Sequence, residues 1–233
     1  PPTMKILQVI SYFYPAWAYG GPGKLVYDLS VAFARRGSRV MVYTTDALSR
    51  QKRREEKDSV FIKDNINIRT FRNISNSLAY RFKIFLPSSA FFAISKEIVS
   101  FDLVHIHEFF TPLAAVTCFF AKKYNIPYIL SAHGTLSKFH LAHRKYLKKL
   151  FMKVVGNYMI NNASHFIAAT SEERKEYIDI GVQEKKISLI PNGIDFHEYE
   201  YLPNKDTFRE AYNVKENEKI IGYENYRRNN RLA

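Results

Sequence analysis

A chain of 233 residues, 46% apolar and 15% aromatic, has ample material for a buried core, which excludes disorder as its overall state. One cysteine, Cys118, cannot close an internal disulfide, and no run approaches the roughly 20 apolar residues of a membrane-spanning helix. Lys and Arg number 35 against 22 Asp and Glu, and the resulting charge of +13 favours an anionic partner: phospholipid, nucleotide phosphate or nucleic acid.

Pro1-Pro2-Thr3 reads as a remnant ahead of Met4, and Met4-Lys5 leads into Ile6-Leu7-Gln8-Val9-Ile10 without the long apolar region of a signal peptide. The expectation is a cytoplasmic protein. Lys5 to Ser11 is a short apolar run of buried-strand type. Lys24 to Arg35 carries Leu25, Leu29 and Phe33 at helical spacing and is stopped by Gly37. Arg39 to Thr45 is a strand, followed by a charged connector from Arg50 to Lys57 expected to be a mobile loop. Strands are predicted at Asn65–Phe71, Asp102–His107, Pro127–Ala132, Ser164–Ala169 and Lys186–Ile190. Helices are predicted at Ser88–Ser100, Pro112–Tyr124, Leu141–Asn161 and Ser171–Asp179.

Strands without clean polar alternation, separated by helices, indicate an α/β fold: a Rossmann-like, doubly wound parallel sheet covered on both faces. Such folds bind ligands at the carboxyl ends of their strands. Gly20, Gly21 and Gly23 fall between the first strand and first helix, where a helix N-terminus can receive phosphate. A P-loop is not matched, since Ala18 and Leu25 occupy its first-glycine and Ser/Thr positions. The dinucleotide fingerprint fails at Val26, and a tight turn without a ligand accounts for the segment equally well.

His105 and His107 share one side of their strand, yet no third ligand stands at a motif spacing, so no metal is expected. His107 and Glu108, at the strand end, can touch substrate. His133 reaches the sheet edge behind the buried Tyr128-Ile129-Leu130 and is followed by Gly134. A histidine there can donate to a developing negative charge or hold a sugar hydroxyl, while a structural histidine in a turn is the plainer alternative.

From residue 109 to residue 171 there is no acidic side chain. In the helix Leu141–Asn161, Leu147, Leu150, Phe151, Val154 and Tyr158 form an apolar stripe opposite Arg144, Lys145, Lys148, Lys149 and Lys153. These five basic residues are candidates for contact with an anionic membrane.

The ordered motifs, taken together, resemble the N-terminal domain of a GT-B fold retaining glycosyltransferase of family 4. They are Tyr19-Gly20-Gly21-Pro22-Gly23 before a helix ending Arg35-Arg36-Gly37, Asp102-Leu103-Val104-His105-Ile106-His107, and Ser131-Ala132-His133-Gly134-Thr135-Leu136. Ala169-Thr170-Ser171-Glu172 and Ile190-Pro191-Asn192-Gly193-Ile194-Asp195 complete the series. The resemblance implies transfer of a hexosyl-type sugar from a nucleotide sugar to a hydroxyl acceptor, sugar- or lipid-linked, in cell-surface polysaccharide or glycolipid synthesis. It implies no metal and no other cofactor. Gly20, Gly21, Gly23 and Gly134 would face the donor, His133 would be catalytic, and His107 and Glu108 would face the acceptor.

By the same resemblance residues 4–195 form the acceptor-side domain and 196–217 an interdomain linker. Residues 218–233 would be the start of a truncated second domain or a non-native tail. The family's glutamate pair and basic phosphate clamp belong to that missing C-terminal domain, so this chain alone is expected to be weakly active or inactive. The setting implied is the inner membrane face. The alternative is a non-catalytic basic module binding an anionic polymer or nucleic acid; no nucleic-acid-reading motif is present.

Overall fold

A computed structural model describes residues 3–56, 58–137, 145–193, 200 and 204–219. The chain divides into two compact units, Pro1–Asn192 and Gly193–Ala233. In the first unit an eight-stranded sheet has the order β3-β4-β2-β1-β5-β6-β7-β8. Its strands are β1 (Lys5–Val9), β2 (Arg39–Thr45), β3 (Val60–Lys63), β4 (Ile66–Phe71), β5 (Leu103–His107), β6 (Tyr128–Ser131), β7 (His165–Ala168) and β8 (Ile187–Leu189). Every neighbouring pair is parallel except β3 and β4.

Alternate side chains of the central strands enter two separate cores, as a sheet buried on both faces requires. Val40, Val42, Ile66 and Ile68 pack with Val26 of α1 (Gly21–Arg35) on one face. Leu7, Val9, Tyr43, Val104 and Ile106 face the other. There they meet α3 (Ala90–Glu97), α4 (Pro112–Lys123) and the helical run 145–162. That run comprises α5 (Lys145–Phe151), a π-helical segment (Met152–Gly156) and α6 (Asn157–Asn162). Thr111 caps α4 by accepting from Ala114 N, and Pro112 occupies the first turn, where no N–H is needed.

Three elements beyond those predicted are present. The hairpin β3–β4 turns at Asp64 and Asn65, both at positive φ, a backbone these residue types tolerate. Helix α2 (Asn76–Phe82) starts at Ser75, whose hydroxyl accepts from Leu78 N. Both are too short for a periodicity signal. The second unit, taken by itself, holds α8 (Lys205–Tyr212), capped by Asn204 and closed by Asn213 at positive φ. Of residues 218–233, expected as the start of a second domain or a non-native tail, all beyond residue 219 lie outside the described residues, as do Ile194, Asp195 and Arg144.

Two expectations are corrected. The connector Arg50–Lys57 is pinned over its described part: Arg53 pairs with buried Asp46 at 3.4 Å, and Arg54 donates to the Tyr14 carbonyl at 2.8 Å. Of the apolar stripe of the 145–162 helix, Phe151 alone packs against the core. Leu147, Leu150, Val154 and Tyr158 are exposed, and Met152, Val155, Met159 and Ile160 pack inward instead. The π segment shifts the helical phase between its two halves, which the regular 3.6 period does not anticipate.

Candidate active site

The carboxyl ends of β1, β5 and β6 are adjacent, and each delivers one polar residue to a connected chain. Gln8 Oε1 lies 2.6 Å from His107 Nε2, and His107 Nδ1 lies 3.0 Å from His133 Nε2. The chain has a direction. An amide oxygen only accepts, so His107 Nε2 carries the proton and donates to Gln8. His107 Nδ1 therefore accepts from His133 Nε2–H, and His133 Nδ1 keeps its lone pair with no partner among the described residues. The His107 and His133 rings lie nearly parallel, with interplanar angle 7°. His105 is bound to the Ser131 hydroxyl at 2.8 Å and its ring lies against that of His107, tilted by 38° with centroids 3.9 Å apart, so it supports the chain from behind.

Burial sets the charge of all three imidazoles. It lowers His105 to about 3, and it drives His107 well below the usual histidine range, helped by the two neighbouring imidazoles. It lowers His133 as well, against the opposing charge of Glu173. Neutral imidazoles are thus favoured near neutral pH, which the directed chain requires. Among the described residues no group of three or more His, Cys, Asp or Glu is arranged to hold a metal ion.

His133 is half-buried and sits at φ 50, a left-handed backbone unusual for a histidine. The peptides on either side are clamped by one face of α7 (Ser171–Asp179). Tyr177 Oη accepts from Ala132 N at 2.7 Å and donates to the Ile167 carbonyl at 3.1 Å. One turn earlier, the buried Glu173 carboxylate accepts from Gly134 N at 3.0 Å and from Ala169 N at 2.7 Å. Residues four apart share a helix face, so a single helix holds the loop on both sides of the histidine.

Neither Glu173 nor Tyr177 was anticipated as a site residue. Thr170 and Glu173 have capping-box spacing, and Thr170 Oγ1 does accept from Glu173 N at 3.2 Å. The glutamate does not return to the cap residue; it reaches across to the histidine loop. The spacing therefore marked Glu173 as a polar residue at a helix start, and its partner on β6 was invisible until the strands were paired. Gln8 was likewise read only as one residue of a buried strand.

The glycines divide into different roles. Gly20 is at φ 133, a backbone that only glycine adopts without strain, and it leads into α1. A Cβ on Gly23 would come within 3.2 Å of both the ring and the carbonyl oxygen of Tyr12, so this glycine lets α1 approach the chain after β1. No such contact limits Gly21, whose Cβ would meet nothing within 4 Å. No side chain caps α1 and its first turn has no acidic residue, leaving the positive end of a 15-residue helix available to an anion.

Glu108 lies between these two groups, at φ 95, with its carboxylate accepting from Ser11 N at 3.0 Å. Burial raises its pKa to about 7, although the Ser11 bonds and the charge of Lys83 oppose the shift. Lys83 donates to the Tyr19 carbonyl at 3.3 Å and lies over the Tyr19 ring, 4.4 Å from its centroid. Among the described residues, the buried hydroxyls of Ser11 and Thr44 have no hydrogen-bond partner. His133 and His107 are thus brought together, Glu108 joins the glycine turn through Ser11, and Gly134 is fixed through its N–H. Of the five basic residues assigned to a membrane, Lys145, Lys149 and Lys153 are exposed and Lys148 is half-buried against the Phe110 ring.

A mostly parallel sheet of this order, with helices on both faces, defines a Rossmann-like, doubly wound domain. The Glycosyltransferase Family 4 model matches residues 19–198, and the chain belongs to that family. It is the N-terminal domain of the GT-B fold. HepE from Anabaena, solved with UDP and glucose, is similar at TM-score 0.61 and 18% identity, over 91% of this chain and 50% of that one. The same protein with UDP-glucose gives TM-score 0.60 and 17% identity at the same coverage. The catalytic domain of starch synthase IV from Arabidopsis thaliana, bound to ADP and acarbose, gives 0.51 and 13%, over 85% and 53%. The chain therefore spans about half the length of these structures. No curated protein matches it.

Proposed function

We propose that the chain supplies the acceptor-side half of a retaining glycosyltransferase that moves a sugar from a nucleotide sugar to a hydroxyl, in polysaccharide or glycolipid synthesis. The observation that carries this reading is the directed chain Gln8–His107–His133 beside an uncapped helix N-terminus. His133 Nδ1 is an acceptor suited to a sugar hydroxyl, and the N–H groups of Gly21 and Gly23 suit the donor's diphosphate. Charge developing on the leaving diphosphate would be met by those N–H groups and by basic residues, with no metal invoked. The complexes of HepE with UDP-glucose support a nucleotide sugar as donor.

Glu108, with its raised pKa, is the residue here best placed to meet an acceptor hydroxyl. A buried, single cysteine suits a reducing compartment, so a cytoplasmic site of action is part of the proposal. Because the chain spans half of its structural relatives, we expect it to bind nucleotide sugar weakly and to turn over slowly or not at all.

The test is a panel of nucleotide sugars offered to the full-length protein, with the product's anomeric proton followed by NMR. Transfer with retained configuration supports the proposal. Inversion, or no transfer from any donor in the panel, overturns it.

A further inference from the structure

Trp17 is the chain's one tryptophan, and it stands at the surface beside the glycine turn. It opens a single 3-10 turn, Trp17–Tyr19, that ends on Gly20, whose N–H donates to the Trp17 carbonyl at 3.2 Å. Residues joined in this way have Cα atoms within about 7 Å of each other, so the tryptophan stands one turn from the uncapped start of α1. The residue is 36% exposed, yet its ring is held. Its centroid lies 5.6 Å from that of Tyr14 and 6.0 Å from that of Tyr27, and it stands at 74° to both. Tyr14 and Tyr27 in turn stack on one another at 5.3 Å. The backbone beneath is also fixed: Ala16 N donates to the Phe13 carbonyl at 2.7 Å, and Arg54 to the Tyr14 carbonyl at 2.8 Å. A ring ordered in advance loses little freedom when a ligand arrives.

Polar groups frame this cluster. The Tyr27 hydroxyl donates to the Asp64 carboxylate, and Lys63 Nζ lies 3.5 Å from the same carboxylate and 5.7 Å from the Tyr14 ring centroid. The side chains of Lys63 and Asp64 are each 42% exposed. This composition narrows the ligand. One exposed ring is far smaller than the roughly 800 Å² that each partner gives to a stable protein interface. A lysine and an aspartate side by side do not select a polymer of one charge. A pyranose fits both features. The C–H bonds on its faces meet the electron-rich face of an aromatic ring, and the hydroxyls at its rim both donate and accept.

We propose that Trp17 is a sugar-stacking subsite that holds a pyranose unit of an oligosaccharide acceptor, set back from the reacting end, with Lys63 and Asp64 meeting rim hydroxyls. The subsite rests on the sugar-transfer reading given above and narrows its acceptor to a glycan chain rather than a single sugar.

The test uses the tryptophan as its own reporter. The 233-residue chain is titrated, without any nucleotide sugar, with glucose, N-acetylglucosamine and the hexamers of α-1,4-glucose, β-1,4-glucose and β-1,4-N-acetylglucosamine. Tryptophan emission should change saturably with at least one hexamer, which should bind at least about tenfold tighter than its monomer. The bound hexamer should also shield Trp17 from acrylamide quenching, a measurement that needs no variant. In calorimetry Trp17→Ala should weaken that hexamer about tenfold, and Trp17→Phe, which keeps a ring, should recover part of the loss. No emission change with any hexamer overturns the subsite. So does hexamer binding that leaves acrylamide quenching unchanged, or wild-type hexamer affinity in Trp17→Ala. The subsite and the transfer reading fail separately. Hexamer binding at Trp17 without any transfer by the full-length protein leaves the sugar subsite standing and overturns transfer. Transfer by the full-length protein in which Trp17→Ala leaves the KM for a glycan acceptor unchanged overturns the subsite.

Discussion

Replacing Glu173 by alanine removes the acceptor for two backbone N–H groups, those of Gly134 and Ala169, at 3.0 Å and 2.7 Å. A buried donor left without a partner costs about 1–3 kcal/mol, so two such groups set an upper range of about 2–6 kcal/mol. Both bonds are only part-buried, and water entering the gap recovers some of the loss, which places the expectation near 2–4 kcal/mol. Against a total of about 5–15 kcal/mol this is a large fraction of stability. Glu173→Gln keeps one acceptor oxygen and turns a donor toward the other N–H, so it should fall between wild type and alanine. In urea, with a slope of about 2 kcal/mol/M, the alanine variant's midpoint should drop by about 1–2 M. Amide exchange should speed selectively at Gly134 and Ala169. An alanine variant within 0.5 kcal/mol of wild type, or Gly134 exchange unchanged, would refute the view that this carboxylate fixes the histidine loop.

Gln8→Leu deletes the acceptor that orients His107, so 15N-detected NMR should show His107 leaving its single Nε2–H tautomer; an unchanged tautomer contradicts the directed chain. Glu108, raised from 4.5 to about 7, contributes stability that is complete below about 4.5 and lost as pH rises through about 7. Glu108→Gln should therefore gain on wild type across that window, and a difference independent of pH would count against the buried carboxyl. His105, lowered from 6.5 to about 3, acts in the opposite sense: its contribution is complete above about 6.5 and lost on acidification toward about 3. His105→Gln should flatten the acid limb by about one proton's worth of slope, and an unaltered limb would contradict its burial as a neutral ring. Gly23→Ala, meeting Tyr12 at 3.2 Å, should cost about 1–3 kcal/mol in urea unfolding, whereas Gly21→Ala, meeting nothing, should be close to neutral; equal costs would contradict the packing described.

The alternation of strand and helix was readable because its buried strands are short apolar runs and its long helices have caps or stops in sequence. Arg39–Thr45 and Ser171–Asp179 appear with the limits expected. The edge hairpin was not readable: Val60 and Ile62 are exposed, so β3 shows no core-facing signal beyond the Asp64-Asn65 turn. His133 could be singled out from its place behind a buried strand. What holds it could not, since Gln8, His107 and Glu173 are 125, 26 and 40 residues away along the chain and meet only when β1, β5, β6 and α7 are assembled. The apolar stripe was legible as residue types, but not which of its members meet the core: Phe151 packs inward while Leu147, Leu150 and Val154 are exposed, and a π segment breaks the regular period within the run.

The measurement that bears most directly on the central claim is sugar transfer by the full-length protein, compared with its His133→Ala variant. Transfer from a nucleotide sugar should be abolished in the variant while its circular dichroism and unfolding midpoint stay close to wild type. Wild-type transfer rates in a folded His133→Ala protein would contradict the account.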